Sequence, residues 1–368
     1  MQVEIIGKFY DNHSLSIINR NLASQLYNNN IKVSVLPTDT ISDAILNIED
    51  IKLIKQLTNT INEPDIQIRH SYPPIWRWPV SNKTKVVYIQ PWEFSSMPSE
   101  WQYKFDTFAD AVIVPSNWNK QVYMDAGINP NKLFVVENGY NDKVYYNKNI
   151  RNHKKIKFIY VGCNQYRKGL DILLNLWSNV TSEFDNLELI IKDNPRVYGD
   201  TDLLSEIVKL QYNKKCATIK YIDDDLTESQ LSNLYNESHV IIHPYRGEGF
   251  GMHVQEAMAC GCIPIVTSGG PTDEFVKEFK IPSSKKAVNM HTIFGMKPED
   301  SLSNMGQHRF VLEPDVNQLF NIIKHVVNNI HKIEAVDVSK LNTWDAVGRK
   351  YITTLETINS ISVVRRTQ

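Results

Sequence analysis

The residues able to carry chemistry concentrate between positions 243 and 274, HPYRGEGFGMHVQEAMACGCIPIVTSGGPTDE. Gly247, Gly249 and Gly251 fall within five positions, so the backbone there can approach a ligand without side-chain obstruction. Glu248 lies in this turn, and Glu256 follows eight positions later. Two carboxylates so placed can bracket a polyhydroxyl ligand, each accepting two hydroxyl hydrogen bonds. The helix expected from residue 251 adds free N–H groups and a positive dipole end, which suit anionic or oxygen-rich ligands. A second cluster is residues 160–169, YVGCNQYRKG, which brings Arg167 and Lys168 to a loop-to-helix junction. Such a pair can neutralise charge on an anionic group. A third comprises residues 69–79, RHSYPPIWRWP, and 90–94, QPWEF. Aromatic faces with arginine edges on proline-stiffened loops suit carbohydrate, so His70, Trp76, Trp92 and Glu93 are candidate contacts to a sugar ring.

These clusters need elements to position them. Short apolar runs at 3–6, 32–36, 85–89, 111–114 and 133–136 read as strands, with amphipathic helices at 14–28 and 117–126. Residues 147–157 are polar and basic, like a linker. The pattern then restarts, with strands at 157–161, 187–192, 218–222, 240–243 and 263–267. Helices are expected at 169–180, at 227–237 behind an N-cap at Thr227, and at 251–259. A last amphipathic helix covers 343–358. Strand–helix alternation implies parallel sheets covered on both faces. The expected fold is α/β, with two doubly wound Rossmann-like units facing a central cleft. Residues 1–150 form the first, 151–342 the second, and 343–368 a terminal helix packing back toward the first. Ligands in such sheets sit outside the carboxyl ends of the strands, where all three clusters fall.

Composition narrows the classes. The 368 residues are 42% hydrophobic and 22% charged, enough for large cores, and the net charge is −1. No basic excess supports a nucleic-acid partner. No apolar run approaches the roughly 20 residues of a membrane span. The opening MQVEIIGKFY carries Glu4 in its apolar run and reads as a first strand rather than a signal peptide. A cytoplasmic protein is expected, with contact at a membrane surface left open. Four cysteines, two of them the pair Cys260 and Cys262, read as buried reduced thiols rather than a zinc site. Asp223, Asp224 and Asp225 precede the N-cap at Thr227 and read as helix N-terminal charge, so no metal is assigned.

The text from Glu248 to Pro264 resembles the donor-site signature of retaining GT-B glycosyltransferases of family 4, the glycosyl transferases group 1. The resemblance implies a retaining, metal-independent enzyme moving a sugar from a nucleotide-diphosphate sugar to a hydroxyl acceptor. That acceptor is expected to be a glycan, glycolipid or glycoprotein, as in polysaccharide biosynthesis. By the same resemblance Glu256 holds the nucleotide ribose and Glu248 the sugar hydroxyls. The turn through Gly249, with backbone N–H groups of Phe250, Gly251 and Met252, faces the transferred sugar. His253 and Val254 lie near the distal phosphate. Residues 160–169 resemble the family's strand–G–R–x–x–x–K–G text, except that Cys163 and Asn164 follow Gly162 where the family has arginine. Arg167 and Lys168 then stabilise the leaving diphosphate, with either one dominant. Lys192 and Ile222, at two strand ends, are implied near the base, which stays open among uracil, guanine and adenine. Ser14 is implied beside the phosphates. No cofactor is expected beyond the nucleotide-sugar substrate. A non-catalytic nucleotide-sugar or glycan-binding protein on this fold, or a GT-B epimerase, are the rival readings. The first would release no sugar or nucleotide from a donor, and the second would leave the aromatic loops without a purpose.

Overall fold

In a computed structural model the chain is described from residue 1 to 361, apart from 42–45, 60, 80, 152–153, 182, 185, 196–201, 213–215, 289–309 and 334–335. The first sheet contains β1 (Gln2–Gly7), β2 (Lys32–Pro37), β3 (Ile66–His70), β4 (Lys85–Ile89), β5 (Ala111–Val114) and β6 (Leu133–Val135). They lie in the order β2-β1-β3-β4-β5-β6, all parallel. The second contains β7 (Ile156–Val161), β8 (Leu187–Lys192), β9 (Thr218–Ile222), β10 (Val240–His243), β11 (Ile263–Thr267) and β12 (Lys280–Ile281). Their order is β12-β11-β10-β7-β8-β9, again parallel. Here the strand order reverses between β7 and β10, the switch point at which doubly wound sheets open a crevice. Both chemistry-bearing loops of the second half, after Val161 and after His243, leave from that point.

Helices α1 (Ser14–Asn28), α2 (Ile48–Leu57), α3 (Ser99–Phe108) and α4 (Asn117–Asp125) connect the first sheet. Helices α5 (Leu170–Thr181), α6 (Leu203–Gln211), α7 (Glu228–Glu237), α8 (Met252–Ala259) and α9 (Val316–Asn329) serve the second, and α10 (Trp344–Ser360) closes the described chain. Local chemistry fixes their starts. Thr227 and Gln230 form a reciprocal capping box at α7, and Ser116 caps α4 by accepting from the Asn119 N–H. On α10, Trp344, Val347, Tyr351, Leu355 and Ile358 bury into the core that Val3, Ile5 and Leu22 occupy in the first unit. Lys85 donates to the carbonyls of Ile358, Asn359 and Ile361, a buried cation satisfying the orphan acceptors at the end of α10.

The structure adds α2, α3, α6, α9 and β12 to the elements read from the sequence, and departs from that reading elsewhere. Arg69 and His70, read there as loop, are the end of strand β3 and are buried. An antiparallel pair, β13 (Ser283–Ala287) with β14 (Phe310–Pro314), forms a separate two-stranded sheet. It is tied to the second unit by Arg246, which bonds Glu313 at 3.0 Å and both carboxylate oxygens of Asp171 at 2.8 and 2.9 Å.

Candidate active site

A cavity of about 540 Å³ opens between the two units, walled by the loops after β7, β8 and β10 and by the N-termini of α1, α7 and α8. The glycine-rich turn needs its glycines. Gly251 caps α8 with φ 97°, in the left-handed region. Gly169, at φ 72°, leaves only 1.9 Å between a would-be Cβ and the Pro244 carbonyl, so the two loops of the site interlock there.

One end of the cavity is cationic. The Lys168 ammonium lies 2.6 Å from Glu248 Oε2, both side chains about nine-tenths buried. The same oxygen accepts from His243 Nε2 at 3.0 Å, while Oε1 accepts the Gly249 N–H at 3.0 Å. Burial pushes the Glu248 pKa up, but Lys168 and the His243 hydrogen bond outweigh it and hold the carboxyl well below its ordinary value. Burial takes His243 down to about 4, so it stands neutral beside the carboxylate. Arg167 reaches the Glu93 carboxylate at 3.7 Å, and its carbonyl accepts the N–H groups of Arg246 and Gly247. Across the cleft His13 caps α1, its Nδ1 accepting from the Leu15 N–H, with Ser14 beside it. Burial lowers the His13 pKa, Asp11 opposes this, and the fields of Lys8, Arg167 and Lys168 add to the lowering. Two helix N-termini and two cations, each beside a carboxylate, thus converge at this end.

The other end is acidic. Glu256 is 9% exposed and accepts from the Tyr235 hydroxyl at 3.4 Å. Burial, with the Glu228 carboxylate adding to it, raises the Glu256 pKa to about 8. Glu228 and Asp50 are also raised, burial being the main cause, with Arg20 opposing it in both. This end favours hydroxyl groups over further anions, since its carboxyls hold protons or seek donors. Beyond it Lys192 and Asp193 end β8. The Lys192 ammonium donates to the Asp193 carbonyl, and the Tyr221 hydroxyl to Asp193 Oδ2 at 3.3 Å.

Gly249, Phe250, Gly251, Met252, His253, Lys192, Glu93 and Ser14 all face this cavity with Arg167, Lys168, Glu248 and Glu256. Others do not. Val254 is fully buried on the core side of α8, and Ile222 packs against the same core instead of the cavity wall. The aromatic candidates are corrected most. Trp92 is 1% exposed, donates Nε1–H to the Ser96 carbonyl at 2.7 Å, and meets Trp101 edge-on at 4.8 Å between ring centroids. Trp76 joins that cluster edge-on to Phe105 at 4.9 Å. His70 is fully buried, hydrogen-bonded to Asn19 Oδ1 at 2.8 Å, with burial lowering its pKa to about 3. Side chains rich in apolar area gain more from each other than from a solvated cleft wall, so these three build the first unit. Sequence reasoning missed His243, His13 and the Arg20–Asp50–Glu228 group. The position of His243 at a strand end beside the glycine turn was the available signal. His243, Glu248 and His253 bring ligating atoms within 4.8 Å of one another, the one such group among the described residues. The Glu248 oxygen is already shared by Lys168 and His243, so it is held by charge and hydrogen bonds.

Residues 142–290 match the family model described as Glycosyl transferases group 1. Curated relatives include two from Methanocaldococcus jannaschii. The uncharacterized glycosyltransferase MJ1178 is 26% identical over 183 residues, 50% of this chain and 47% of that protein. The uncharacterized glycosyltransferase MJ1607 is 26% identical over 229 residues, 61% of this chain and 51% of that protein. The chain thus spans about half the length of these relatives. Among solved structures, Anabaena HepE in complex with UDP-glucose superposes with a TM-score of 0.64 at 14% identity, covering 97% of this chain and all of that one. The two six-stranded parallel sheets and this likeness define a GT-B fold. The family match and the names of the relatives support a glycosyltransferase.

Proposed function

We propose that the protein is a retaining, metal-independent glycosyltransferase of family 4 that moves a sugar from a nucleotide-diphosphate sugar to a hydroxyl of a glycan or glycoconjugate. The observation that carries this reading is the polarity of the cavity between the two units. Its cationic end holds two helix N-termini with Arg167 and Lys168, paired with Glu93 and Glu248, and its acidic end holds Glu256 and Glu228. A nucleotide sugar has this charge pattern, an anionic diphosphate between two hydroxyl-bearing rings. The diphosphate occupies the cationic end, Glu256 takes the ribose hydroxyls, and Glu248, fixed by Lys168 and His243, takes those of the sugar. UDP-glucose in HepE supports a nucleotide sugar as the donor class.

In the proposed reaction the bond from the anomeric carbon to the phosphate oxygen breaks as the acceptor oxygen bonds to the same face. The acceptor proton passes to the departing phosphate. Arg167 and Lys168 balance the charge growing on that leaving group, so no protein nucleophile and no metal are needed. The test is incubation with UDP-, GDP- and ADP-linked sugars, with and without oligosaccharide acceptors. Release of nucleoside diphosphate and the anomeric configuration of the product are followed by NMR. Turnover with retained configuration is expected. Inversion, or binding of donor without any turnover across the acceptor panel, would overturn the reading.

A further inference from the structure

The turn that carries Glu248 is held from outside its own unit. Asn119, in the first turn of α4 and fully buried, donates Nδ2–H to the Gly249 carbonyl at 2.9 Å. Its Oδ1 accepts the Trp92 N–H at 2.7 Å, and its Nδ2 also reaches Ser116 Oγ at 3.1 Å. One amide therefore joins the loop after β4, the cap of α4 and the donor turn of the opposite unit. The N-terminus of α4 docks there a second time. Glu274 accepts from the Trp118 N–H at 3.1 Å and from Asn117 Nδ2 at 3.2 Å, a carboxylate at a helix N-terminus. Contact is close enough that a Cβ at Gly247 would stand 2.6 Å from the Glu93 carbonyl.

We propose that Asn119 is a positioning residue for sugar transfer, through which the first unit sets the peptide between Gly249 and Phe250 in its working orientation. The inference rests on the nucleotide-sugar reading of the cleft. Across a trans peptide the carbonyl and the following N–H point in opposite directions. Fixing the Gly249 carbonyl on Asn119 therefore fixes where the Phe250 N–H points. Glycine at 249 offers little resistance to rotation of this peptide, so the restraint has to come from a partner. Glu248 precedes it directly, and its own Oε1 accepts the Gly249 N–H of the adjoining peptide, so the carboxylate lies one peptide from the restrained one. The ribose end, at Glu256 and Lys192, has no share in this bond. Sugar positioning thus depends on docking of the two units, whereas nucleotide binding does not.

Asn119→Asp separates these effects. It is isosteric and keeps an acceptor for the Trp92 N–H, and Ser116 Oγ can reverse and donate to it. The donor to the Gly249 carbonyl is lost, replaced by a repulsive oxygen, and a negative charge is added. Affinity for UDP, GDP and ADP is measured by calorimetry, kcat and KM with the matching nucleotide sugar, and amide exchange of residues 247–251 by mass spectrometry. Expected are an unchanged nucleoside diphosphate Kd, a kcat lower by roughly tenfold to a hundredfold, and faster exchange confined to that turn. Asn119→Ser, which shortens the side chain without adding charge, is expected to show the same split and serves if the Asp variant does not fold. Wild-type kcat with unchanged exchange would overturn the proposal, as would equal losses in nucleotide affinity and kcat. If the wild type binds none of the nucleotides, the nucleotide-sugar reading fails instead, and exchange at residues 247–251 still decides whether Asn119 restrains the turn.

Discussion

Replacing Lys168 by Met tests how the site is built. The substitution keeps the length and apolar stem of the side chain and removes the ammonium that lies 2.6 Å from Glu248 Oε2. Breaking a buried ion pair by removing one partner costs about 3–5 kcal/mol, because the other charge is left desolvated. Glu248 retains the His243 hydrogen bond and the Gly249 N–H, so the lower figure applies. At about 2–4 °C per kcal/mol for a unit of this size, the melting temperature should fall by roughly 6–12 °C. The double variant Lys168→Met/Glu248→Gln should recover much of that loss, since no unpaired charge is left, while transfer stays lost. The pH dependence has a definite sign. Glu248 is depressed in the folded wild type, so its pairing contributes stability above the ordinary carboxylate range and loses it on acidification. The gap between wild type and Lys168→Met should therefore be full near neutrality and narrow as the pH falls below about 4. Thermal melts across pH read both effects. Additive losses in the double variant, or a gap constant with pH, would refute the buried pair.

Glu256 behaves oppositely. Its pKa is raised to about 8, so its contribution to stability is present below the unfolded-state value and lost as pH rises through about 8. Glu256→Gln should flatten that slope in chemical denaturation series between pH 5 and 9, a change of up to about 1.4 kcal/mol per pH unit. Trp92→Ala should cost about 3–5 kcal/mol as a cavity in the aromatic core, lowering the melting temperature without a selective rise in acceptor KM. A selective KM effect at unchanged stability would return Trp92 to the cleft. Transfer should survive excess EDTA, and activity lost to EDTA and restored only by Mg²⁺ or Mn²⁺ would contradict the proposed role of Arg167 and Lys168 at the diphosphate.

The parallel architecture was legible because buried strands of such sheets are continuous apolar runs, as in Leu187–Lys192 or Ile263–Thr267. Strand β3 escaped because Gln67, Arg69 and His70 are polar yet buried. Gln67 donates to Glu4 Oε2 at 2.7 Å, and Arg69 donates to Gln67 Oε1, partnerships that no periodicity reveals. The hairpin strand Ser283–Ala287 holds almost no apolar residue and leaves no strand signal. In the cleft, Glu248 and Glu256 stood out because their glycine turn and spacing are local. Asn119 and the Arg20–Asp50–Glu228 group are assembled from segments far apart in the chain, and only the fold brings them to the site. The tryptophans failed for the converse reason. Their composition suits sugar stacking, but whether an aromatic faces solvent or its neighbours is decided by packing.

The central claim is that one cavity divides a nucleotide sugar between Glu256 at the ribose and Glu248 at the sugar. Calorimetric titration of the wild type, Glu256→Ala and Glu248→Gln with UDP, GDP and ADP tests it most directly. The account predicts that the nucleotide bound by the wild type binds Glu256→Ala about tenfold to a hundredfold more weakly, the loss of hydrogen bonds to two hydroxyls. Glu248→Gln should bind that nucleotide as the wild type does and fail only in turnover. Unchanged nucleotide affinity in Glu256→Ala, or equal weakening in both variants, would contradict it.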